Sequence, residues 1–279
     1  MAEAFALPFH FVDHLCHPGL NAAAGRIPLN AYLSKTASNG GNDSATSLFG
    51  KLRWMKDGGT GPTMNSLVGG KAVDLALKGQ GSGDAFVAIW NFMCRNKEQL
   101  KKLDVEVCGR RDKKKPAEKV VLKTGNVYDL YFKGRSDSAA IQQMIADRFF
   151  GIDCVGYVAN YLLYNHEWDE YKGAEPAQWP MWHCQGKVNK ASEVKALDFL
   201  VWNGHIAMVD WIWSMVDAKT VQIDVCQSSS GGPQCNERVL LRETSATVSG
   251  RRQFLISGGT PKLPVDGLVV VARRAGFFW

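Results

Sequence analysis

Apolar residues recur at helical spacing in three segments of the chain. Residues 84–95 carry them behind an acidic residue, which predicts a helix with Asp84 as its N-cap. A second helix is predicted from Ser136 and a third over Cys154–Tyr164, because both segments repeat apolar residues three and four positions apart. The apolar face of the second helix consists of Ile141, Met144, Ile145 and Phe149.

The last third of the chain has the period-two alternation of half-buried strands. Six strands are predicted there, over residues 196–202, 205–213, 220–227, 238–242, 253–256 and 267–273. Asn203-Gly204, between the first two, is a strong signal for a two-residue hairpin. The short connections between the strands predict an antiparallel meander.

Patterns are weaker before residue 134. Residues 39–47 and 57–63 are rich in Gly, Asn and Asp and are predicted to be loops. Residues 48–55 between them fit either a short helix or a strand.

Two short strands are predicted at 120–122 and 127–132, separated by a turn at 124–126. The clearer patterns that follow divide the chain into an N-terminal region of unknown role, 1–133, and an α+β domain, 134–279.

Composition places the chain among ordinary globular proteins. It has 279 residues, of which 46% are hydrophobic and 22% charged, so it excludes collagen, coiled coil and wholesale disorder. No stretch approaches the roughly 20 apolar residues of a membrane helix. The first twenty residues lack a basic leader, and Pro8 interrupts their apolar run, so no signal peptide is expected. We therefore expect synthesis in the cytoplasm, with any export by a route that needs no cleaved leader.

The net charge of +6 is partly local, because residues 110–115 hold five basic residues and one acid. Such a run is typical of a solvated loop, and it would also suit an anionic partner such as cell wall or nucleic acid. No RNP-like pattern or recognition helix accompanies it, so nucleic acid is the less favoured partner.

The seven cysteines are irregularly spaced and include no CxxC pair, which argues against a zinc site. Cys226 and Cys235 flank a turn at 228–234 and would face each other across a hairpin. They are expected to be thiols in a reducing compartment and able to pair in an exported protein.

A group of metal-ligating residue types lies near the N-terminus, at His10, His14, Cys16 and His17. No distant partner accompanies it, so the polar end of a helix is the preferred interpretation.

Cys154 is the candidate nucleophile. It starts a helix after a glycine-containing turn, where unpaired backbone N–H groups and the positive end of the helix dipole favour a thiolate. The same N–H groups can hold an oxyanion. The preceding Asp153 is expected to cap the helix rather than react.

His205 is the candidate base, because it begins a strand directly after a tight turn and is rigidly presented there. Gln227 ends the apolar face of the next strand and would lie near His205, where its amide oxygen can fix the histidine tautomer. Asp224 is the better acceptor by charge but falls on the opposite face of a regular strand. Ser228 is the nearest substitute for Gln227.

Two segments resemble motifs of one enzyme family. Residues 150–158, FGIDCVGYV, look like the DCSG helix start of the NlpC/P60 cysteine peptidases and, more loosely, of the CHAP amidases. Residues 197–200 followed by 204–209 resemble their GD segment and GHVGIV strand, with Leu197 in the place of the family's Gly. The order Cys, His, polar residue is papain-like, and the resemblance covers about residues 136–273.

The resemblance implies a papain-like α+β domain in which a helix carries Cys154 and an antiparallel sheet carries His205 and Gln227. It implies amide hydrolysis through a thioester, without metal or organic cofactor, on the peptides of peptidoglycan. Trp168, Trp179 and Trp182 would line the substrate groove or simply pack.

By analogy, a wall hydrolase without a leader would be a phage-type lysin or an antibacterial effector. An effector would have a specialised secretion apparatus and an immunity protein as partners. Two rivals stay open: a papain-like enzyme that acts on proteins, as a protease, deamidase or acyl transferase, and a catalytically inactive binding module.

Overall fold

Helices dominate the first half of the chain and strands the last third. The computed structural model describes residues 7–17, 19–33, 43–109, 114–115, 118–167, 184, 186–202, 204–263 and 267–274. The helices are α1 Pro8–Cys16, α2 Asp43–Leu52, α3 Met64–Val68, α4 Gly70–Leu77, α5 Gly83–Arg95, α6 Lys97–Leu100, α7 Asp137–Ala146 and α8 Cys154–Tyr164. The strands are β1 Leu20–Ala22, β2 Gly25–Ile27, β3 Asp104–Cys108, β4 Val121–Asn126, β5 Gly186–Lys187, β6 Phe199–Trp202, β7 His205–Asp217, β8 Thr220–Ser229, β9 Gly232–Val248, β10 Arg251–Thr260 and β11 Gly267–Arg273.

The predicted meander closes into a barrel. The strand order is β10-β9-β8-β7-β6-β11-β5, and a further antiparallel pairing of β10 with β11 joins the two ends of the six-stranded part. Val270 shows the closure, because it lies opposite Gln253 of β10 and Val201 of β6. The mixture of helices with antiparallel strands and the predicted meander are thus confirmed, because each barrel strand pairs with the next one in the chain. The closure of the meander by the pairing of β11 with β6 was not predicted.

Alternating residues of the barrel strands form one apolar core. Val221, Ile223 and Val225 of β8 are buried in it together with Ala207 and Val209 of β7. This is the face that the alternation predicted for β8, and it points into the barrel because every second side chain of a strand shares a face.

The chain forms two compact units. The barrel unit consists of Met1–Val12, Tyr157–Ser229 and Pro233–Trp279, and the helical unit consists of Asp13–Gly156 and Ser230–Gly232. The chain passes from one unit to the other inside α8. These compact units are not the regions 1–133 and 134–279, whose roles as separate domains stay a prediction.

Side-chain caps begin two of the predicted helices. Ser136 is the N-cap of α7 and accepts a hydrogen bond from the N–H of Ala139 over 3.2 Å. The predicted cap Asp84 of the earlier helix is wrong, because Ser82 takes that place and accepts from Ala85. Asp84 instead lies in the first turn of α5, where its negative charge interacts favourably with the positive end of the helix dipole.

Two secondary-structure predictions before residue 134 are wrong. Helix α2 starts inside the predicted loop 39–47, and its hydroxyls accept backbone N–H groups of β3: Ser44 from Cys108 and Ser47 from Glu106. The predicted strand 127–132 is a π-helical turn, Tyr128–Phe132.

The π-helical turn has a local cause in Asn126. The predicted turn at 124–126 continues β4, and Asn126, its last residue, bonds through its side chain to the backbone N–H of Asp129. This contact starts the helical turn and so competes with an extended backbone.

Cys226 and Cys235 form a disulfide between β8 and β9, with their Cα atoms 4.1 Å apart. Of the two forms that the sequence left open, the structure has the paired one. Among the described residues, no helix is long and apolar enough to cross a membrane. Trp168, Trp179 and Trp182, together with most of the basic run at 110–115, lie outside the described residues.

Candidate functional site

A buried polar group occupies one end of the barrel interior. His205, the first residue of β7, shares its strand face with Ala207 and Val209 of the apolar core. Its side chain lies against the ring of Trp202, with the two ring centroids 4.7 Å apart. Trp202 and His205 face each other across the hairpin, in which Gly204 has φ 76°. Asn203 of the hairpin signal lies outside the described residues.

Gln227 continues the inward face of β8 and meets His205. Its Oε1 lies 2.5 Å from Nε2 of the imidazole, and the Gln227 side chain is fully buried. An amide oxygen only accepts, so this hydrogen bond requires the proton on Nε2 and leaves Nδ1 as the basic nitrogen of the neutral ring. The contact expected from the alternation of β8 is therefore present.

Asn236 extends the group and was missed by the sequence analysis. The Nε2 of Gln227 donates to Oδ1 of Asn236 over 2.7 Å, and Nδ2 of Asn236 donates to the backbone carbonyl of Pro261 over 2.7 Å. A signal existed in the sequence. A hairpin that pairs Cys226 with Cys235 places Asn236 on the same face as Gln227.

Asp224, the charged alternative to Gln227, points elsewhere. Its Oδ1 accepts from the indole N–H of Trp213 over 2.7 Å and from the backbone N–H of Arg238 over 2.8 Å. The guanidinium of Arg238 also stacks on the Trp213 ring, 3.3 Å from its centroid. Ser228, the other alternative, is fully buried directly after Gln227.

Burial controls the charge of the His205 ring. Desolvation lowers the pKa of His205 from 6.5 to about 4, and the hydrogen bond to Gln227 opposes this only in part. The imidazole is therefore neutral at pH 7, which is the protonation state that a general base needs. The same burial disfavours the imidazolium, so the ring is a weaker proton acceptor than a free imidazole.

The same shift predicts a pH-dependent stability. Between pH 6.5 and about 4 the unfolded chain binds a proton at His205 that the folded protein does not. We therefore expect the free energy of unfolding to fall as the pH drops through this window. At one pKa unit per 1.36 kcal/mol, the contribution of His205 is about 3 kcal/mol.

Urea unfolding of the wild type and His205→Gln at several pH values measures this contribution. The variant loses the titrating group, so its stability is expected to fall by about 3 kcal/mol less over the window. Equal losses in the two proteins would contradict the burial of a neutral His205.

Cys154 is the first residue of α8, where the sequence predicted a helix start. Asp153 caps that start, because its Oδ1 accepts the N–H of Gly156 over 2.7 Å and its Oδ2 accepts from Gln80 over 2.8 Å. The expected structural role of Asp153 is thus confirmed. Cys154 itself is buried in the helical unit, and its roles as nucleophile and as partner of His205 stay predictions.

Glycines let the backbone approach the start of α8 closely. The N–H of Asp153 donates to the carbonyl of Gly79 over 2.7 Å, and an added Cβ at Gly156 would overlap that same carbonyl oxygen. The N–H of Ile152 donates to the carbonyl of Ala31 over 3.0 Å. The residues before Cys154 are therefore held by two backbone segments that are distant in sequence.

No metal centre is found in the described part of the chain, where no three His, Cys, Asp or Glu side chains lie close enough together to hold an ion. His10, His14 and Cys16 of the N-terminal group lie on α1. In comparisons with known proteins, the chain matches no protein-family model, no curated protein and no solved structure.

Proposed function

We propose that this protein is a cysteine hydrolase of amide bonds, with Cys154 as the nucleophile, His205 as the general base and Gln227 as the residue that orients it. The observation that carries the proposal is the buried hydrogen bond between Nε2 of His205 and Oε1 of Gln227. It supports a base role because it leaves Nδ1 unprotonated in a ring that burial keeps neutral.

The proposed reaction proceeds in two halves. The sulfur of Cys154 attacks the amide carbonyl carbon while its proton passes to Nδ1 of His205, and the backbone N–H of Cys154 helps to hold the oxyanion. The C–N bond breaks as the imidazolium returns the proton to the leaving amine, which leaves a thioester. Water, deprotonated by the same nitrogen, then releases the acid and restores the thiol. This chemistry requires no metal or organic cofactor.

Two backbone features support a papain-like arrangement of the NlpC/P60 type. Leu197 stands where the family has glycine, and it adopts φ 70°, the left-handed region that glycine favours. The capped start of α8 at Cys154 is the place where the family motif has its nucleophile. Both features agree with the resemblance at the residues that carry it.

The proposed substrate is the peptide part of peptidoglycan, cleaved by an endopeptidase or amidase reaction. It follows from the resemblance of the two motifs to those of wall hydrolases. The net charge of +6 supports it, since a basic protein is attracted to an anionic polymer. A specialised secretion apparatus and an immunity protein are the partners that an exported antibacterial effector of this kind would have.

Digestion of purified sacculi tests the proposed function. The wild type is expected to release muropeptide fragments, whose masses identify the bond, and Cys154→Ala is expected to release none. Cys184→Ala is a matched control, because burial raises the pKa of this other thiol to about 12 and makes it a poor nucleophile. Intact sacculi after treatment with the folded wild type would contradict the wall substrate.

A thiol probe separates the remaining candidates. Burial raises the pKa of Cys16 to about 11 and those of Cys94 and Cys184 to about 12, whereas the start of α8 favours a thiolate at Cys154, so iodoacetamide at pH 7 is expected to react at Cys154 before these three thiols. A reactive Cys154 without wall cleavage would favour a protease, deamidase or acyl transferase that acts on proteins. An unreactive Cys154 would favour a binding module.

A further inference from the structure

We propose that Asn236 is a positioning residue that determines which nitrogen of His205 carries the proton. The inference rests on the proposed function, because it concerns the nitrogen that would act as the base. It begins at the backbone carbonyl of Pro261, a group that accepts hydrogen bonds and cannot donate them. The Nδ2 of Asn236 donates to this oxygen over 2.7 Å.

That first hydrogen bond fixes which atom of each side-chain amide donates and which accepts. With its nitrogen toward Pro261, Asn236 presents Oδ1 to Gln227 and accepts from Nε2 of that side chain over 2.7 Å. Gln227 consequently presents its oxygen, and not its nitrogen, to Nε2 of His205. The proton must then lie on Nε2 of the neutral ring, and Nδ1 is left as the acceptor.

The opposite orientation of the two amides would leave a hydrogen-bond mismatch at Pro261. A proton on Nδ1 of His205 would require the Gln227 nitrogen to donate to Nε2, and Gln227 would then need a donor from Asn236. The Asn236 oxygen would be turned toward the carbonyl of Pro261, so two acceptors would face each other. Gln227 and Asn236 are both fully buried, so bulk water cannot supply the donor that the turned Asn236 oxygen would lack.

The hairpin holds both amides in place. Gln227 directly follows Cys226 on β8 and Asn236 directly follows Cys235 on β9, and these two cysteines form the disulfide. The covalent link therefore joins the strands one residue away from each amide. Neither side chain needs to move for the hydrogen bonds to persist, which suits a positioning role.

Long-range ¹H–¹⁵N NMR of histidine-labelled, full-length protein at pH 7 measures the tautomer without any substrate. The His205 signals are assigned by their absence in His205→Gln. Wild-type His205 is expected to show a protonated Nε2 and an unprotonated Nδ1. A wild-type ring protonated on Nδ1 would overturn the proposal without any variant at position 236.

Three variants then isolate Asn236. Asn236→Ala frees the Gln227 amide to rotate, so we expect the Nδ1–H tautomer of His205 to become about as populated as the Nε2–H tautomer. We also expect the alkylation of Cys154 by iodoacetamide to slow about tenfold, as is typical when the hydrogen-bond partner behind a functional histidine is lost. Gln227→Glu/Asn236→Ala is expected to restore Nε2–H, because both oxygens of a carboxylate accept. Asn96→Ala, which removes a buried amide of the helical unit, should leave the tautomer unchanged.

The outcomes separate this inference from the proposed function. An unchanged Nε2–H tautomer in folded Asn236→Ala would overturn the positioning role. Failure of the glutamate variant to restore the tautomer would also do so, because loss of structure and not loss of orientation would then explain the alanine variant. A wild type with the expected tautomer but an unreactive Cys154 would leave the role of Asn236 standing and remove the hydrolase.

Discussion

Replacing His205 with alanine is expected to lower the rate of amide cleavage by a factor on the order of 10⁶, about as much as Cys154→Ala. The thiol must lose its proton for attack, and the leaving amine must gain one, so loss of the base stops both halves of the reaction. Because the two residues would act as one unit, the double variant should be no slower than the slower single variant. Steady-state kinetics on wall peptides measure all three.

Variants of the other polar candidates are the controls for this prediction. Asp224→Asn is expected to keep turnover within a few-fold of the wild type, because Asp224 accepts from Trp213 and Arg238. Ser228→Ala is expected to do the same. If Asp224→Asn lowered turnover as strongly as His205→Ala does, the carboxylate and not Gln227 would be the group that supports the base. A double variant far slower than either single one would mean that Cys154 and His205 act independently.

Local alternation was enough to locate the barrel strands but not to close the barrel. Alternating side chains indicate which face of a strand is buried, and β11 begins and ends where the pattern predicted. Closure depends on β11 lying between β10 and β6, and no local pattern identifies these neighbours. The 17-residue length of β9 was also missed, because much of its second half is not buried and carries little apolar signal.

The candidate site could be predicted only in part, because local alternation shows the face of a strand and not its register with its neighbours. Gln227 could be placed beside His205, because alternate residues of a strand share one face of the sheet and adjacent strands bring residues on that face together. Asn236 required knowledge of the register between β8 and β9, which the sequence supplies only if Cys226 is taken as paired with Cys235. The start of α8 was recognised from its motif, whereas its backbone support from Gly79 and Ala31 joins segments far apart in the chain.

Gly79→Ala is expected to destabilise the protein by about 4 kcal/mol, because two separate costs add at this position. Gly79 has φ 74°, and an L-residue in this region costs about 1–2 kcal/mol. An added Cβ would also overlap the backbone carbonyl oxygen of Leu33, which cannot turn away as a flexible side chain can. Such overpacking typically costs about 1–3 kcal/mol or more.

Gly58→Ala separates these two costs. Gly58 also has a positive φ, 60°, but an added Cβ there would meet no atom within 4 Å, so only the conformational cost of about 1 kcal/mol is expected. Urea unfolding of both variants measures the difference. Because the carbonyl of Gly79 accepts the N–H of Asp153, Gly79→Ala should also slow iodoacetamide labelling of Cys154, whereas Gly58→Ala should not. Equal destabilisation by the two substitutions would mean that the backbone beside Gly79 yields to a methyl group, and that the start of α8 is not held as rigidly as these contacts imply.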